Sequence, residues 1–195
     1  MKKIVTCEEM KKLDGATIHH IGVASEVLME RAALKVVEEI EKYLEKNERI
    51  LVVCGSGNNG GDGIAVARLL YLKGIRAEFC MVGNKDKMTR ETVLQYKIAT
   101  GYQVPEVNNP DWSEYTTIVD AVFGVGLVRP IEGHYAEVIH EMNSARAKKI
   151  AVDIPSGVNG DTGLEMGIAF SADLTVTFGY RKRGLCFYPG RLYAG

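Results

Sequence analysis

The feature that most constrains the fold of this chain is a glycine-rich segment between an apolar run and a helical pattern. Residues 55–63 read Gly-Ser-Gly-Asn-Asn-Gly-Gly-Asp-Gly, with five glycines in nine positions. The apolar run 50–54 precedes them, and residues 64–70 follow with apolar side chains at helical spacing. A strand, a glycine turn and a helix in this order present backbone N–H groups and the positive end of a helix dipole to an anion. The segment therefore predicts an α/β fold with a ligand site at a helix N-terminus.

The polar residues of this segment indicate more than a turn. Three of its glycines match the dinucleotide pattern G-x-G-x-x-G, but the acidic residue expected about 20 positions later is poorly placed, because Glu78 lies inside the next predicted strand. A segment that only reverses the chain has no need of Asn58, Asn59 and Asp62 together. They favour ligand binding, and the alternative is an Asn-rich turn in which Asp62 caps the following helix.

Composition limits the chain to a single folded domain, residues 1–195. Of its 195 residues, 46% are hydrophobic and 25% are charged, and the net charge is −1. This charge gives no electrostatic case for binding nucleic acid or an anionic membrane. No segment has the length and hydrophobicity of a secretion signal or a membrane span. The four cysteines form no C-x-x-C pair, which is typical of reduced thiols, so we predict a cytoplasmic protein.

Strand and helix patterns alternate along most of the chain. We predict strands at 49–54, 76–82, 116–122, 149–153 and 173–178, and helices at 8–20, 26–46, 62–73, 88–100 and 134–144. Short continuous runs of Val, Ile and Leu are typical of parallel strands that are buried on both faces. Repeated strand–helix–strand units therefore predict a parallel, doubly wound sheet with helices on both faces.

A second candidate segment follows the predicted strand 116–122. Asp120 interrupts an apolar run, and burying its carboxylate requires a cation or several N–H donors. It therefore either accepts hydrogen bonds from its loop or contacts a ligand or cation. Gly124 and Gly126 would let the backbone approach a ligand closely. Arg129 either binds a phosphate or forms a surface ion pair.

A third candidate segment begins at Asp153, directly after an apolar strand. A carboxylate at the carboxyl end of a strand in an α/β cleft is a candidate general acid or base, and the alternative is that Asp153 caps the following turn. Ser156 offers a hydroxyl group to the turn, a ligand or an ion. No histidine follows Asp153 and Ser156 lacks the G-x-S-x-G pattern, which argues against a Ser-His-Asp hydrolase.

Together these segments resemble the YjeF N-terminal domain family, the NAD(P)H-hydrate epimerases. The resemblance rests on residues 55–63, on Asp-Ala-Val-Phe-Gly-Val-Gly-Leu-Val-Arg-Pro-Ile-Glu-Gly at 120–133, and on Ala-Val-Asp-Ile-Pro-Ser-Gly-Val-Asn-Gly-Asp-Thr-Gly at 151–163. Residues 172–179 and 182–185 resemble the late strand of the family. Several long blocks in the same order cover nearly the whole chain, which makes the resemblance far more specific than the glycine pattern alone.

The resemblance implies a fold, an activity and partners. The fold is a three-layer α/β/α sandwich, Rossmann-like, with a mostly parallel doubly wound sheet and N-terminal helices, and the protein is usually a homodimer. The activity is that of an isomerase that interconverts the R and S epimers of hydrated NADH and NADPH, NAD(P)HX. A partner NAD(P)HX dehydratase, fused C-terminally in some members, uses only the S epimer. The chain departs from the family's N-terminal helix pattern at Arg31 and Ala33.

The resemblance also implies site residues, carried over by position. Substrate would contact Asn58, Asn59, Gly60, Gly61, Asp62, Gly124, Val125, Gly126, Leu127, Val128, Arg129, Pro130 and Asp153. One potassium ion per subunit would be bound around Asn59, Asp120 and Ser156. Inversion at C6 of the substrate ring needs a proton donor and a proton acceptor, and Asp153 is the best-placed carboxyl group. The oxygen-rich potassium set suits a hard cation.

Two other functions compete with this interpretation. A dimeric, non-catalytic scaffold of the same fold would bind nucleotide or RNA, but a degenerate loop lacking Asn59, Asp62 or Asp153 would be expected there, and all three are present. An NAD(P) dehydrogenase would need the acidic residue that contacts the ribose, which is lacking. We expect one epimerase domain, either complete or part of a longer bifunctional protein.

Overall fold

The fold is described here from a computed structural model, which describes residues 3–44 and 47–195. Its regular elements, in chain order, are β1 (Ile4–Val5), α1 (Cys7–Ala16), α2 (Ser25–Glu41), β2 (Arg49–Cys54), α3 (Asn58–Leu72), β3 (Arg76–Met81), α4 (Arg90–Gly101), β4 (Thr117–Ala121), α5 (His134–Ser144), β5 (Lys148–Val152), β6 (Leu174–Val176), β7 (Arg181–Lys182) and α6 (Gly190–Tyr193). A π-helical turn, Thr17–Ile21, continues α1, and single 3-10 turns lie at Lys85–Lys87, Trp112–Glu114 and Arg183–Leu185.

Five parallel strands form the central sheet, in the order β3-β2-β4-β5-β6. The strand order reverses between β2 and β4, and the crevice outside the carboxyl ends of these strands is where doubly wound sheets bind ligands. A separate two-stranded parallel sheet joins β1 to β7, pairing Ile4 with Arg181 and Val5 with Lys182. This small sheet connects the start of the described chain to a segment near its end.

Helices cover both faces of the central sheet, as the sequence predicts. Helices α2, α3 and α4 pack on one face around a core that includes Val36, Ile64 and Phe79. Helix α5 covers the other face, where Ile139 and Met142 are buried in a second apolar core. Strands β2 and β4 are buried along nearly their whole length, which explains their continuous apolar sequences. No helix among the described residues is long and apolar enough to cross a membrane.

The predicted sheet strands are confirmed to within two residues at each end, whereas three helix bounds differ. The predicted helix 8–20 becomes π-helical after Ala16, and the predicted helix 26–46 ends at Glu41; residues 45–46 of that prediction lie outside the described residues. Helix α3 begins at Asn58 rather than at residue 62, so Asp62 lies at the start of its second turn and does not cap it. Asn and Gly have low helix propensity, so packing holds this first turn in place.

Candidate functional site

A cavity of about 700 Å³ opens at the carboxyl ends of β2, β4 and β5. This volume is typical of small-molecule and cofactor sites, and the position is the crevice expected for a doubly wound sheet. Residues from both N-terminal helices close it on one side, so loops and helices that are distant in sequence share one chamber. Among the predicted substrate residues, those that line the cavity are Asn58, Asn59, Asp62, Gly124, Val125, Gly126, Leu127 and Asp153.

The first turn of α3 gives the cavity a wall of free backbone donors. Gly57 is the N-cap residue and has no side chain to accept from the first N–H groups, and no described residue accepts from the N–H groups of Asn58 and Asn59. The turn is anchored from α4, because the Thr92 hydroxyl donates to the Gly57 carbonyl over 2.9 Å. The Thr89 N–H donates to the Ser56 carbonyl over 3.0 Å. Such an end attracts anions.

The predicted glycine positions divide into two groups in the structure. An added Cβ at Gly60 would lie 1.8 Å from the Gly55 carbonyl oxygen, and one at Gly61 would lie 2.8 Å from the Met29 Cε. These two glycines are buried below the cavity wall, where their lack of a side chain allows close packing. Gly124 lies against Asn59, because an added Cβ would come within 3.2 Å of its carboxamide oxygen.

Asp120 is fully buried and is bound by protein donors. One carboxylate oxygen, Oδ1, accepts from the Ser156 hydroxyl over 2.6 Å and from the Val122 N–H over 3.1 Å, while Oδ2 accepts from the Ser156 N–H over 2.7 Å. Burial raises the pKa of Asp120 to about 6, although these three donors act in the opposite direction. The sequence left open whether Asp120 accepts hydrogen bonds from its loop or contacts a ligand or cation, and the structure contains the hydrogen bonds. Ser156 also accepts from the Phe123 N–H over 2.8 Å, so it joins the two loops.

Asn59 is nearly as buried, and its side chain has an unmet donor. Its carboxamide nitrogen is inaccessible to solvent and has no hydrogen-bond partner among the residues that the structure describes. A carboxamide offers an oxygen or a nitrogen to the same site by rotation about χ2. An orphaned buried amide is costly, which makes this group a candidate for contact with a ligand.

Asp153 is held at the cavity wall by a buried lysine. The Lys182 ammonium, with a residue exposure of 1%, forms an ion pair with Asp153 Oδ1, and the Phe178 N–H and the Thr177 hydroxyl donate to the same oxygen over 3.2 Å each. No described residue donates to Oδ2. The backbone of Asp153 has φ +67°, an uncommon conformation for this residue type that tends to cluster at functional sites. Because the hydrogen-bond partners of its side chain lie at residues 177–182, Asp153 does not cap the turn that follows it, which was the alternative left open by the sequence.

Two further carboxyl groups approach Asp153 across the cavity. Asp62 lines it from α3, and no described residue donates a hydrogen bond to its carboxyl group. Burial raises the pKa of Asp62 well above its usual range, and the negative charges of Asp153 and Asp14 add to this rise. Asp14 lines the cavity from α1. Its pKa is also raised, first by burial and to a lesser extent by the negative charge of Asp153. The nearby Lys182 opposes both shifts.

Sequence reasoning missed Lys182 and Asp14 as site residues. Lys182 stands in a block that matches the late strand of the family, yet nothing local distinguishes it from a surface lysine. The N-terminal helix that departs from the family pattern does reach the cavity, through Leu28, Met29 and Ala32. Arg31 is exposed and Ala33 is buried in the core, so neither departure lines the cavity. Three other predicted substrate residues do not line the cavity and are exposed: Val128, Arg129 and Pro130.

Residues 25–184 match the family described as YjeF-related protein N-terminus. The chain is 45% identical over 195 residues to the NAD(P)H-hydrate epimerase of Limosilactobacillus fermentum, a match that covers all of this chain and 94% of that protein. It is 47% identical over 193 residues to the NAD(P)H-hydrate epimerase of Oenococcus oeni, covering 98% and 92% respectively. The crystal structure of the yeast protein ynu0, YNL200c, has the same fold, with a TM-score of 0.85 at 21% identity over 97% of this chain and 86% of the yeast chain.

Proposed function

Because the chain belongs to the family of YjeF-related protein N-terminal domains, we propose that it is an isomerase, an NAD(P)H-hydrate epimerase that acts on NAD(P)HX. The observation that carries the proposal is the single cavity at the carboxyl edge of the sheet, where free N–H groups and partly buried carboxyl groups meet. A non-catalytic scaffold would have no use for the buried Asp153–Lys182 ion pair in the wall of this cavity.

The cavity offers different chemistry at its different walls. The N–H groups of Asn58 and Asn59 at the start of α3 bind the negatively charged diphosphate of the substrate. The backbone of residues 124–127 and the apolar side chains from α1 and α2 hold the rest of the dinucleotide away from water. Asp153 stands beside C6 of the ring as the acid/base group. Two predicted glycines, Gly60 and Gly61, contribute to this binding surface through packing beneath it. Residues 128–130 are exposed and contribute from outside the cavity wall.

The activity is tested directly with the pure R epimer of NADHX. We expect the purified protein to convert it to a mixture of the R and S epimers. The conversion is measured by chromatography that separates the two epimers. The reverse experiment from the S epimer must reach the same final ratio, because an isomerase changes the rate and leaves the equilibrium unchanged. The heat-denatured protein is the control. A rate equal to that of the control in both directions would contradict the proposed function.

The residues proposed for potassium fit such an ion by their chemistry. Asp120 supplies a buried negative charge, the Ser156 hydroxyl supplies a neutral oxygen from a neighbouring loop, and the Asn59 carboxamide supplies another from the first turn of α3. Hard cations prefer oxygen ligands of this kind. Potassium held by these residues would supply positive charge that compensates the buried carboxylate, and it would join the end of β4 and the Ser156 loop to the first turn of α3.

Potassium should therefore stabilise the protein. At a concentration 100 times its Kd, a ligand that binds only the folded state adds about 2.7 kcal/mol to the free energy of unfolding, which is roughly 5–10 °C in Tm for a domain of this size. Tm is measured in potassium chloride and in tetramethylammonium chloride at equal ionic strength. We expect Asp120→Asn to lose the difference between the salts. Equal Tm values for the parent protein in the two salts would contradict the potassium site.

The remaining parts of the proposal concern assembly. We propose a homodimer, supported by exposed apolar side chains on two adjoining segments, Leu164 on one and Phe187, Tyr188 and Leu192 on the other. We also propose that the protein works with an NAD(P)HX dehydratase, on a separate chain or fused to this domain, and that it does so in the cytoplasm. The four free cysteines are compatible with that compartment.

A further inference from the structure

The cavity contains carboxyl groups in addition to that of the proposed base, Asp153. Asp153 has Lys182, Thr177 and Phe178 as donors to Oδ1, which leaves Oδ2 as a carboxylate oxygen with no described donor. Asp62 lies on a different element, the second turn of α3, and no described residue donates a hydrogen bond to either of its oxygens. One carboxyl group is thus fixed beside a cation, and the other is partly buried and lies near negative charge. Environments that differ in this way are how a site keeps one carboxylate and one carboxylic acid.

We propose that Asp62 is the catalytic acid of this site and that it works together with Asp153 as the base, an assignment that rests on the proposed epimerase function. The two epimers carry their C6 hydroxyl on opposite faces of the ring. Exchange through the C6–O bond therefore needs one group that protonates the departing oxygen and a second group that takes a proton from the incoming water. Asp62 on α3 and Asp153 after β5 approach the cavity from two elements, as this division requires.

The step balances without a redox partner. Asp62 gives its proton to the C6 hydroxyl oxygen, the C6–O bond breaks with its electron pair leaving on water, and the N1 lone pair forms an N1=C6 double bond. Water then adds through oxygen to the other face of C6, the N1=C6 electron pair returns to N1, and Asp153 Oδ2 accepts the proton that this water loses. One proton is consumed and one is released. The enzyme is left with Asp62 ionised and Asp153 protonated, which is the state that catalyses the opposite direction.

The proposal predicts an alkaline limit to activity, set by Asp62. Because its pKa is raised, Asp62 stays protonated above the range where an exposed carboxyl group ionises, and activity falls as the pH rises through that higher pKa. Other charged groups also line the cavity and contribute to the profile. They are Lys11 and Asp14 on α1, Glu91 on α4, Asp153 after β5 and Lys182 on β7.

The test compares Asp62→Asn with Asp14→Asn, which removes the other cavity carboxyl group that has no partner among the described residues. Epimerisation of the R epimer of NADHX is followed from pH 5 to pH 9 in water enriched in ¹⁸O. For Asp62→Asn we expect kcat to fall about 100-fold or more, with KM little changed and the alkaline limb lost. Tm should be no lower than that of the parent, because no described residue donates a hydrogen bond to the Asp62 carboxyl group and asparagine has nearly the same shape. The parent should incorporate ¹⁸O at C6 once per inversion.

Each alternative result is decisive. An alkaline limb that persists in Asp62→Asn, or disappears in Asp14→Asn instead, overturns the assignment of the acid to Asp62. Inversion without ¹⁸O incorporation overturns the C–O cleavage step, because opening the ring at N1–C6 would retain the original oxygen. A parent protein that does not epimerise NADHX or NADPHX at any pH contradicts the proposed function itself, which separates that failure from a failure of the Asp62 assignment.

Discussion

Replacing Asp153 with asparagine should lower kcat for epimerisation by about 100-fold or more, the usual scale for losing a general acid or base. Asparagine has nearly the same shape and retains a carbonyl oxygen that can accept from Phe178 and Thr177. It removes the negative charge beside Lys182 and the proton acceptor at Oδ2. We therefore expect a large effect on kcat and a smaller one on KM, measured from initial rates with the R epimer of NADHX.

The same substitution should destabilise the fold, because Lys182 is almost fully buried. Breaking a buried ion pair by removing one partner typically costs about 3–5 kcal/mol, since the remaining charge is left uncompensated. Lys182→Met should show a similar loss in the free energy of unfolding, measured by denaturant titration. The double variant Asp153→Asn/Lys182→Met removes both charges of the pair, so it should be more stable than either single variant.

This double variant separates catalysis from folding. If Asp153 is the base, the double variant regains stability and stays inactive. If its epimerase rate returned together with its stability, Asp153 would be only a structural partner of Lys182 and the catalytic role would be wrong. A sum of the two single losses in the double variant would show that the residues do not interact energetically. Lys182 acts on Oδ1 of Asp153, so it is a positioning residue.

The elements of the sheet were predictable because the signal for a buried parallel strand is local. Residues 50–54 are an apolar run and residues 117–121 a mainly apolar one, each followed closely by glycine, and both strands were predicted to within one residue from this local pattern. The start of α3 was not predictable in this way. Its first turn, 58–61, has the poor helix propensity of Asn and Gly, and it is helical because Gly60 packs against Gly55 and because Thr92 of α4 holds Gly57.

The side-chain partners in the site depend on contacts that no local pattern encodes. Whether Asp120 meets an ion or protein donors depends on Ser156, which is 36 residues away in the sequence, and the sequence left both possibilities open. The Asp153–Lys182 pair is held by β7, a strand of two residues that exists because it pairs with Ile4–Val5 at the other end of the described chain. A strand that short has no periodicity to detect.

Gly60→Ala should also lower the stability of the fold. In an open helical position alanine is more favourable than glycine by about 1 kcal/mol. At Gly60 the new Cβ would lie 1.8 Å from the Gly55 carbonyl oxygen, which is backbone and cannot turn aside. Overpacking of this kind costs about 3 kcal/mol, so the steric cost exceeds the gain in helix propensity. We expect a loss of about 2 kcal/mol in the free energy of unfolding, measured by denaturant titration.

Gly15→Ala is the matched control, because Gly15 also lies in a helix and an added Cβ there meets nothing within 4 Å. It should gain roughly 1 kcal/mol, so the two variants should shift the unfolding midpoint in opposite directions. A Gly60→Ala protein that unfolds like the parent would contradict this packing role of Gly60. The expected opposite shifts would assign Gly60 to holding the first turn of α3 against Gly55, the packing that leaves the N–H groups of Asn58 and Asn59 free to face the cavity.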